Sequence, residues 1–290
     1  MTSSTQHQHS ILVAMDLSSV GRCSALVVVP VLALSGSSVA FLPTAYLSTH
    51  TGGFGQVHRS DLSQDMAGSL AHWKRLGLRF DAVYIGYVAH HSQLDMLEDA
   101  LPDLLAPGAR LYVDPVMGDM GRRYAYCKEE LVTGFRRLCA RAHTIFPNRT
   151  EAALLLGQPL VEGQEPAPPD AGQLLSLGAA QVVLTGVTQG SDRIGVLAAS
   201  QGQPSHATFR RRYPASYPGT GDLLASTVIA GLSLGLDLGQ ACETACDMLD
   251  ASLRHTQRYD TPTRFGLAYE RALPALARDF ARLSRLPDQP

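Results

Sequence analysis

A chain of 290 residues with 45% hydrophobic and 17% charged content has enough apolar mass to bury a large core. Its formal net charge of −2 gives no field of either sign, which argues against nucleic acid or an anionic membrane surface as the main partner and for a small molecule. The five cysteines, Cys23, Cys127, Cys139, Cys242 and Cys246, are an odd number at irregular spacing and read as reduced cytosolic thiols, not as a disulfide framework or metal knuckle.

Residues 1–9 are polar, with His7 and His9 and no apolar core or cleavage signal, and read as a disordered tail ahead of one domain over 10–290. The short apolar run 11–15 reads as a buried strand. The run 25–34 is interrupted by Pro30 and falls short of the roughly 20 residues of a membrane span, so it reads as a buried helix. Strands are predicted at 39–42, 82–85, 110–113, 144–146 and 182–184. Between them the segments 61–76, 93–105, 129–139 and 150–156 repeat apolar residues at three and four, the helical period. The Pro-rich stretch 165–170 reads as a surface connection. Beyond 184 the pattern changes to an edge hairpin, 193–199 and 207–213, and then to three helices at 221–234, 238–255 and 266–283. This order predicts an α/β fold with a mostly parallel sheet covered on both faces.

In such sheets ligands gather at the carboxyl ends of the strands, so the loops there should carry the chemistry. The most telling is YPGTGDLLAS at 217–226. Gly219 and Gly221 let the backbone around Thr220 turn its N–H groups toward one point, and the free donors of the helix that follows add partial positive charge for an anion. Asp222 sits at the rim of that hollow, where a carboxylate can take the proton of a hydroxyl attacking a γ-phosphorus. The alternative is an ordinary strand-to-helix connection with an acid in the first turn. GxxxxGK[ST] does not occur, and no GxGxxG opens a helix after the first strand, so the common nucleotide fingerprints are absent.

Four other loops follow predicted strands: MDLSSVGR at 15–22, STHTGGF at 48–54, DPVMGD at 114–119 and PNRTEA at 147–152. Taken in order with GTGD at 219–222, they resemble the ribokinase-like superfamily, in particular its pyridoxal/pyridoxamine kinase branch, with phosphomethylpyrimidine kinases as near relatives. The resemblance covers about residues 10–283 and implies that superfamily's three-layer fold.

It also implies roles. Asp222 would be the catalytic base, and the backbone of Gly219, Thr220 and Gly221 the anion hole. Asn148 and Glu151 match an NxxE element that holds Mg²⁺ through water; the competing reading is a helix cap. Asp114 would lie by the phosphates and metal, or else begin an Asp-Pro turn. Residues 118–126, with Arg122, Arg123, Tyr124 and Tyr126, resemble a flexible lid over nucleotide, made mobile by Gly118 and Gly121, or are a solvated loop. Thr185 and Gly186 match a nucleotide-phosphate contact.

At the substrate end the resemblance implies Asp16, His50 and Tyr87. The branch commonly has serine where Asp16 stands, and a carboxylate there would favour a protonated ring nitrogen. His50 would meet the ring hydroxyl or aldehyde, and Tyr87 would stack on the ring or belong to the core. The implied activity is ATP- and Mg²⁺-dependent phosphorylation of the 5′-hydroxymethyl of a vitamin B6 vitamer by a cytoplasmic homodimer, with use of a monovalent cation left open. A hydroxymethylpyrimidine kinase of thiamine synthesis and a non-catalytic vitamer-binding regulator are the alternatives.

Overall fold

The computed structural model describes residues 7–283. Of the expected tail, residues 1–6 lie outside this range. His7 is placed, with Nε2 2.9 Å from an Asp81 carboxylate oxygen, and the carbonyl of His9 accepts from Ser38 N at 2.8 Å, where the first two strands begin to pair.

Nine strands form one sheet. In chain order they are β1 (Ser10–Ser18), β2 (Ser38–Leu47), β3 (Arg59–Asp61), β4 (Phe80–Ile85) and β5 (Leu105–Val113), then β8 (Thr144–Ile145), β9 (Gln181–Gln189), β10 (Arg193–Ser200) and β11 (His206–Arg211). Strands β6 (Gly118–Asp119) and β7 (Arg122–Arg123) pair separately as a small antiparallel ribbon. The sheet order is β11-β10-β9-β8-β5-β4-β1-β2-β3, parallel from β2 through β9. The predicted hairpin β10–β11 forms one antiparallel edge, as expected, and β3 the other.

Two apolar layers cover the sheet. On one face α1 (Ala25–Ala33), α7 (Thr220–Ser233) and α8 (Leu238–Thr256), with α9 (Leu273–Leu283), enclose Ile11, Val13, Val28, Val228 and Phe280. On the other, α2 (Ser63–Leu76), α3 (His91–Leu104), α4 (Glu129–Arg141), α5 (Arg149–Leu155) and α6 (Ala171–Leu175) enclose Leu12, Leu94, Leu97, Phe135 and Leu184. Alternate residues of β1 thus feed opposite cores, the pattern of a strand buried on both sides.

Two expectations change, and some short elements are unforeseen. The helix foreseen over 266–283 is broken: 3-10 turns at Thr263–Phe265 and Tyr269–Arg271 precede α9, because Gly266 takes φ 78° and packs against the carbonyls of Arg22 and Pro218, a path no helix follows. Residues 61–62 do not join α2, because Asp61 is the last residue of β3 and its Oδ1 accepts the Ser63 N–H at 2.9 Å. The short strands β3, β6 and β7 and the one-turn helix α6 carry no periodicity long enough to announce them.

Candidate active site

From β1 the chain turns to β2 on one side and later returns through β4 on the other, so the sheet's switch point lies at the carboxyl ends of β1 and β4. The loops after β1, β4, β5, β8 and β9 open there, and the first turn of α7 faces them. Among the predicted residues Asp16, Asp114, Asn148 and Glu151 stand on these ends.

At the head of α7, Gly219 adopts φ 81°, and a Cβ placed on it would lie 1.9 Å from the carbonyl oxygen of Arg22. Only glycine fits. Gly221 differs: nothing occupies the 4 Å around the point where its Cβ would be, and no fold contact requires its absence. Glycine in a first helical turn is unfavourable by about 1 kcal/mol relative to alanine, so open space there is what a ligand approaching the backbone would use. The N–H groups of Thr220, Gly221 and Asp222 precede the first intrahelical bond, Leu223 N to Gly219 O at 3.0 Å, and keep their donors for the cleft.

Asp222 is partly exposed to this cleft. Its Oδ2 accepts the backbone N–H of Ser24 at 2.8 Å, while burial and the nearby Asp16 charge raise its carboxyl to about 6. Ser24, the N-cap of α1, holds φ 53° and ψ −140°, a region sparsely used by residues with a side chain. That conformation aims its N–H at Asp222.

Opposite stands a set of acids. Asp114 is buried at the end of β5, accepts the Tyr84 hydroxyl at 3.3 Å, and is pushed up to about 8 by burial and by Asp222. Glu151 lies well above the usual carboxylate range through burial and Asp114, opposed by the N–H groups of Asn148 and Met117. Burial raises Asp119 as well.

Asn148 and Glu151 form a complete capping box at the start of α5. Asn148 Oδ1 accepts from Glu151 N at 2.9 Å, and Glu151 Oε2 accepts from Asn148 N at 2.9 Å. The remaining groups are used too: Glu151 Oε1 accepts from Met117 N at 3.1 Å, and Asn148 Nδ2 donates to Gly118 O at 2.8 Å. The cap therefore fastens the loops after β5 and β8 together. Among the described residues no three His, Cys, Asp or Glu side chains could ligate one ion together. The crowded acids nevertheless suit a hard divalent cation that takes most of its ligands from water and phosphate, as Mg²⁺ does.

The expected lid at 118–126 is an ordered hairpin. Met120 at φ 52° and Gly121 at φ 72° make its two-residue turn. Gly121 donates to Thr150 Oγ1 at 2.9 Å and lies so close to the Gln164 backbone that a Cβ would approach its carbonyl oxygen to 2.2 Å. A Cβ on Gly118 would similarly meet Arg122 O at 2.4 Å. These glycines therefore serve close packing, not the mobility expected of them. Arg122 lies 3.9 Å from Glu162, and Arg123 donates to Glu129 at 2.9 Å, so both face surface acids. Thr185 N donates to Pro147 O at 2.9 Å, joining the phosphate-side loop to β9, where Gly186 takes φ 71°.

Asp16 is buried at the end of β1 and accepts the Ser18 hydroxyl at 2.8 Å; desolvation raises its carboxyl, opposed by bonds from Ser24 and Ser18. Tyr87 packs edge-on against Tyr126, ring centres 5.1 Å apart, and Tyr126 stacks on Tyr124 at 5.7 Å. Its own hydroxyl is buried without a hydrogen-bond partner among the described residues. His50 is fully engaged. Its Nδ1 accepts from Gly52 N at 3.0 Å, so its proton sits on Nε2 and is donated to Arg264 O at 2.5 Å. It ties the 50–55 loop to the turn beside Gly266.

Ser24, Tyr84 and Thr150 join the site without any signal in the sequence, since each acts through a contact to a distant loop.

Known proteins share this fold. The profile of a family described as phosphomethylpyrimidine kinase matches residues 25–264. A curated pyridoxine/pyridoxal/pyridoxamine kinase from Bordetella avium is 30% identical over 186 residues, which is 62% of this chain and 62% of that protein. The chain thus spans less than two thirds of the length of that curated relative. Pyridoxal kinase from Lactobacillus plantarum has 34% identity and a TM-score of 0.85, covering 94% of this chain and 98% of that one. A structure from Bacteroides thetaiotaomicron, assigned as a phosphomethylpyrimidine kinase and holding pyridoxal, has 31% identity and a TM-score of 0.85 over 98% of both chains. No helix among the described residues is long and apolar enough to cross a membrane.

Proposed function

This chain belongs to the phosphomethylpyrimidine kinase family, and from that membership we propose that it transfers the γ-phosphoryl group of ATP to the 5′-hydroxymethyl of pyridoxal, pyridoxamine or pyridoxine. The observation that carries the reading is the pairing of Asp222 with the open backbone of Gly221 at one helix terminus. A base and an anion hole drawn from one helical turn fit in-line transfer to an alcohol. The B6 vitamers are favoured by what the Lactobacillus and Bordetella relatives are named for and by the pyridoxal held in the Bacteroides structure.

In this mechanism Asp222 Oδ1 takes the proton of the substrate hydroxyl while Oδ2 stays on the Ser24 N–H, which fixes the carboxylate plane. The oxygen bonds to the γ-phosphorus, the bond to the departing ADP oxygen breaks, and the N–H groups of Thr220, Gly221 and Asp222 stabilise the transferring charge. Asp114, together with Asn148 and Glu151 through water, would hold Mg²⁺, which when bound supplies positive charge to the phosphate oxygens. Thr185 and Gly186 serve the nucleotide side, which Arg122 and Arg123 reach only on leaving Glu162 and Glu129, and Asp16 and Tyr87 serve the ring. His50 acts on substrate by holding the 50–55 loop, since both its nitrogens are taken. The working form is a cytoplasmic homodimer.

A second reading, phosphorylation of a hydroxymethylpyrimidine, is favoured by the description of the matching family. One assay separates the two: ATP consumption with Mg²⁺ and pyridoxal, pyridoxamine, pyridoxine or hydroxymethylpyrimidine offered singly, products identified by mass. Phosphorylated vitamer is expected; turnover with the pyrimidine alone overturns the first reading.

A further inference from the structure

The register of three strands sets an arginine two strands away from Ser18, whose hydroxyl donates to Asp16. Ser18 of β1 pairs with Leu47 of β2, and Leu47 pairs with Arg59 of β3, so the three side chains leave the same face of the sheet. Asp16 shares that face, because its carboxylate accepts the Ser18 hydroxyl. Adjacent strands lie about 4.8 Å apart, so roughly 10 Å separates the backbones of Ser18 and Arg59, with the buried Leu47 side chain between them and Arg59 exposed beyond it. Arg59 also lines a hollow with Leu47, Thr51, Gly55 and Val57.

The charges here are not spent on each other. Asp61, the nearest acid in sequence, already accepts from Ser63 and Gln93. Arg59 makes no ion pair among the described residues. Within electrostatic reach of both Asp16 and Arg59 stands Tyr87, whose buried hydroxyl has no hydrogen-bond partner among the described residues. Burial raises that phenol most, Arg59 lowers it through its charge and the closeness of its side chain, and Asp16 and Asp61 raise it. A buried donor without an acceptor is unfavourable by about 1–3 kcal/mol, and a bound oxygen would relieve it.

We propose that Asp16 and Arg59 are the two poles of a subsite that selects the zwitterionic form of a 3-hydroxypyridine, the carboxylate accepting the ring N–H and the guanidinium, with the Tyr87 hydroxyl, meeting the ring's phenolate oxygen. This rests on the B6 reading above and deepens it. The ring nitrogen, the 3-oxygen and the 5-hydroxymethyl lie at alternate positions of one ring, so three separate anchors, Asp16, Arg59 with Tyr87, and Asp222, would fix its orientation without redundancy. An aminopyrimidine offers no phenolate to the guanidinium and leaves Arg59 and Tyr87 unused. Discrimination comes from those unmet polar groups.

The test uses the full chain and its Arg59→Gln, Asp16→Asn and Tyr87→Phe variants with pyridoxine, 3-deoxypyridoxine and hydroxymethylpyrimidine. Binding without ATP is followed by near-ultraviolet absorption, which differs between zwitterionic and neutral 3-hydroxypyridines. Wild-type protein should bind pyridoxine as the zwitterion. Arg59→Gln should raise the KM for pyridoxine about ten-fold or more, leave that for 3-deoxypyridoxine within about two-fold, and shift the bound spectrum toward the neutral form. Asp16→Asn should shift the spectrum the same way. Wild-type turnover of pyridoxine with an unchanged KM and spectrum in Arg59→Gln overturns the subsite and leaves the B6 reading standing. Wild-type protein that neither binds nor phosphorylates pyridoxine overturns both.

Discussion

The backbone N–H of Ser24 donates to Asp222 Oδ2 at 2.8 Å across 198 residues of chain. Because the bond comes from main chain, no side-chain rotamer at position 24 can withdraw it. Ser24 itself holds φ 53°, two residues after Arg22, whose carbonyl lies close against Gly219 and Gly266. The cap of one helix thus orients the acid in the first turn of another, and the free Oδ1 is left to face the cleft.

Asp222→Asn keeps the Ser24 bond and removes the base. Turnover should fall by about 10²-fold or more, with nucleotide affinity nearly unchanged. Single-turnover rates and nucleotide titration by calorimetry check the two halves; near-normal turnover removes the assignment.

With Asp222 raised to about 6, kcat/KM should climb with pH through that value, since only the ionised carboxylate accepts a proton. The acid limb should fall about ten-fold per pH unit well below it and vanish in Asp222→Asn. A profile flat from pH 5 to 7 would argue against a titrating base here.

The two glycines at the head of α7 should separate structure from chemistry. Gly221→Ala places its methyl in open space, so the melting temperature should hold or rise slightly while kcat/KM falls. Gly219→Ala drives a methyl into the Arg22 carbonyl and should destabilise by about 2 kcal/mol or more. Equal melting temperatures for the two variants would contradict this division.

Asp114 has its carboxyl raised from the ordinary 3.8 to about 8 in the fold. The native state then holds a proton that the unfolded chain releases, so this group's contribution is full below about pH 4 and is lost as pH rises toward 8. Asp114→Asn should raise the melting temperature at pH 8 by roughly 5 °C, give no gain at pH 4, and lower turnover about ten-fold or more. Calorimetry at the two pH values, set against activity, measures the trade.

Asn148→Ala removes the cap on Glu151 N and the bond to Gly118 O. A loss of about 1 kcal/mol is expected from the cap. Freed from its anchor, the β6–β7 hairpin should be cut faster by trypsin after Arg122 and Arg123. Unchanged cleavage would show that Gly121 and Thr150 alone secure it.

Much of the frame could be read from the chain. Runs such as 11–15 and 182–184 lie between two apolar layers, where burial on both faces makes a strand uniformly apolar. The places of Asp114, Asn148, Glu151 and Asp222 in the fold could be read because each stands where a strand gives way to a loop or a loop to a helix. What could not be read is everything decided by approach. Ser24 has no local mark because its partner is distant, and the engagement of both His50 nitrogens depends on where residue 264 arrives. Gly118 and Gly121 suggest flexibility by type, yet neighbouring backbone leaves no room beside them.

The placement of β1 in mid-sheet bears on how the protein comes to life during synthesis. β1 and α1 are made shortly before β2, but the carboxylate that their connection orients is made about 200 residues later. Until α7 docks, Ser24 has no carboxylate to hold and the strained turn has nothing to enforce it. Long-range closures of this kind form late and slowly. The nascent chain can therefore build most of its sheet while inert, and the appearance of the proposed phosphoryl transfer during refolding would time the docking of the segment from α7 onward.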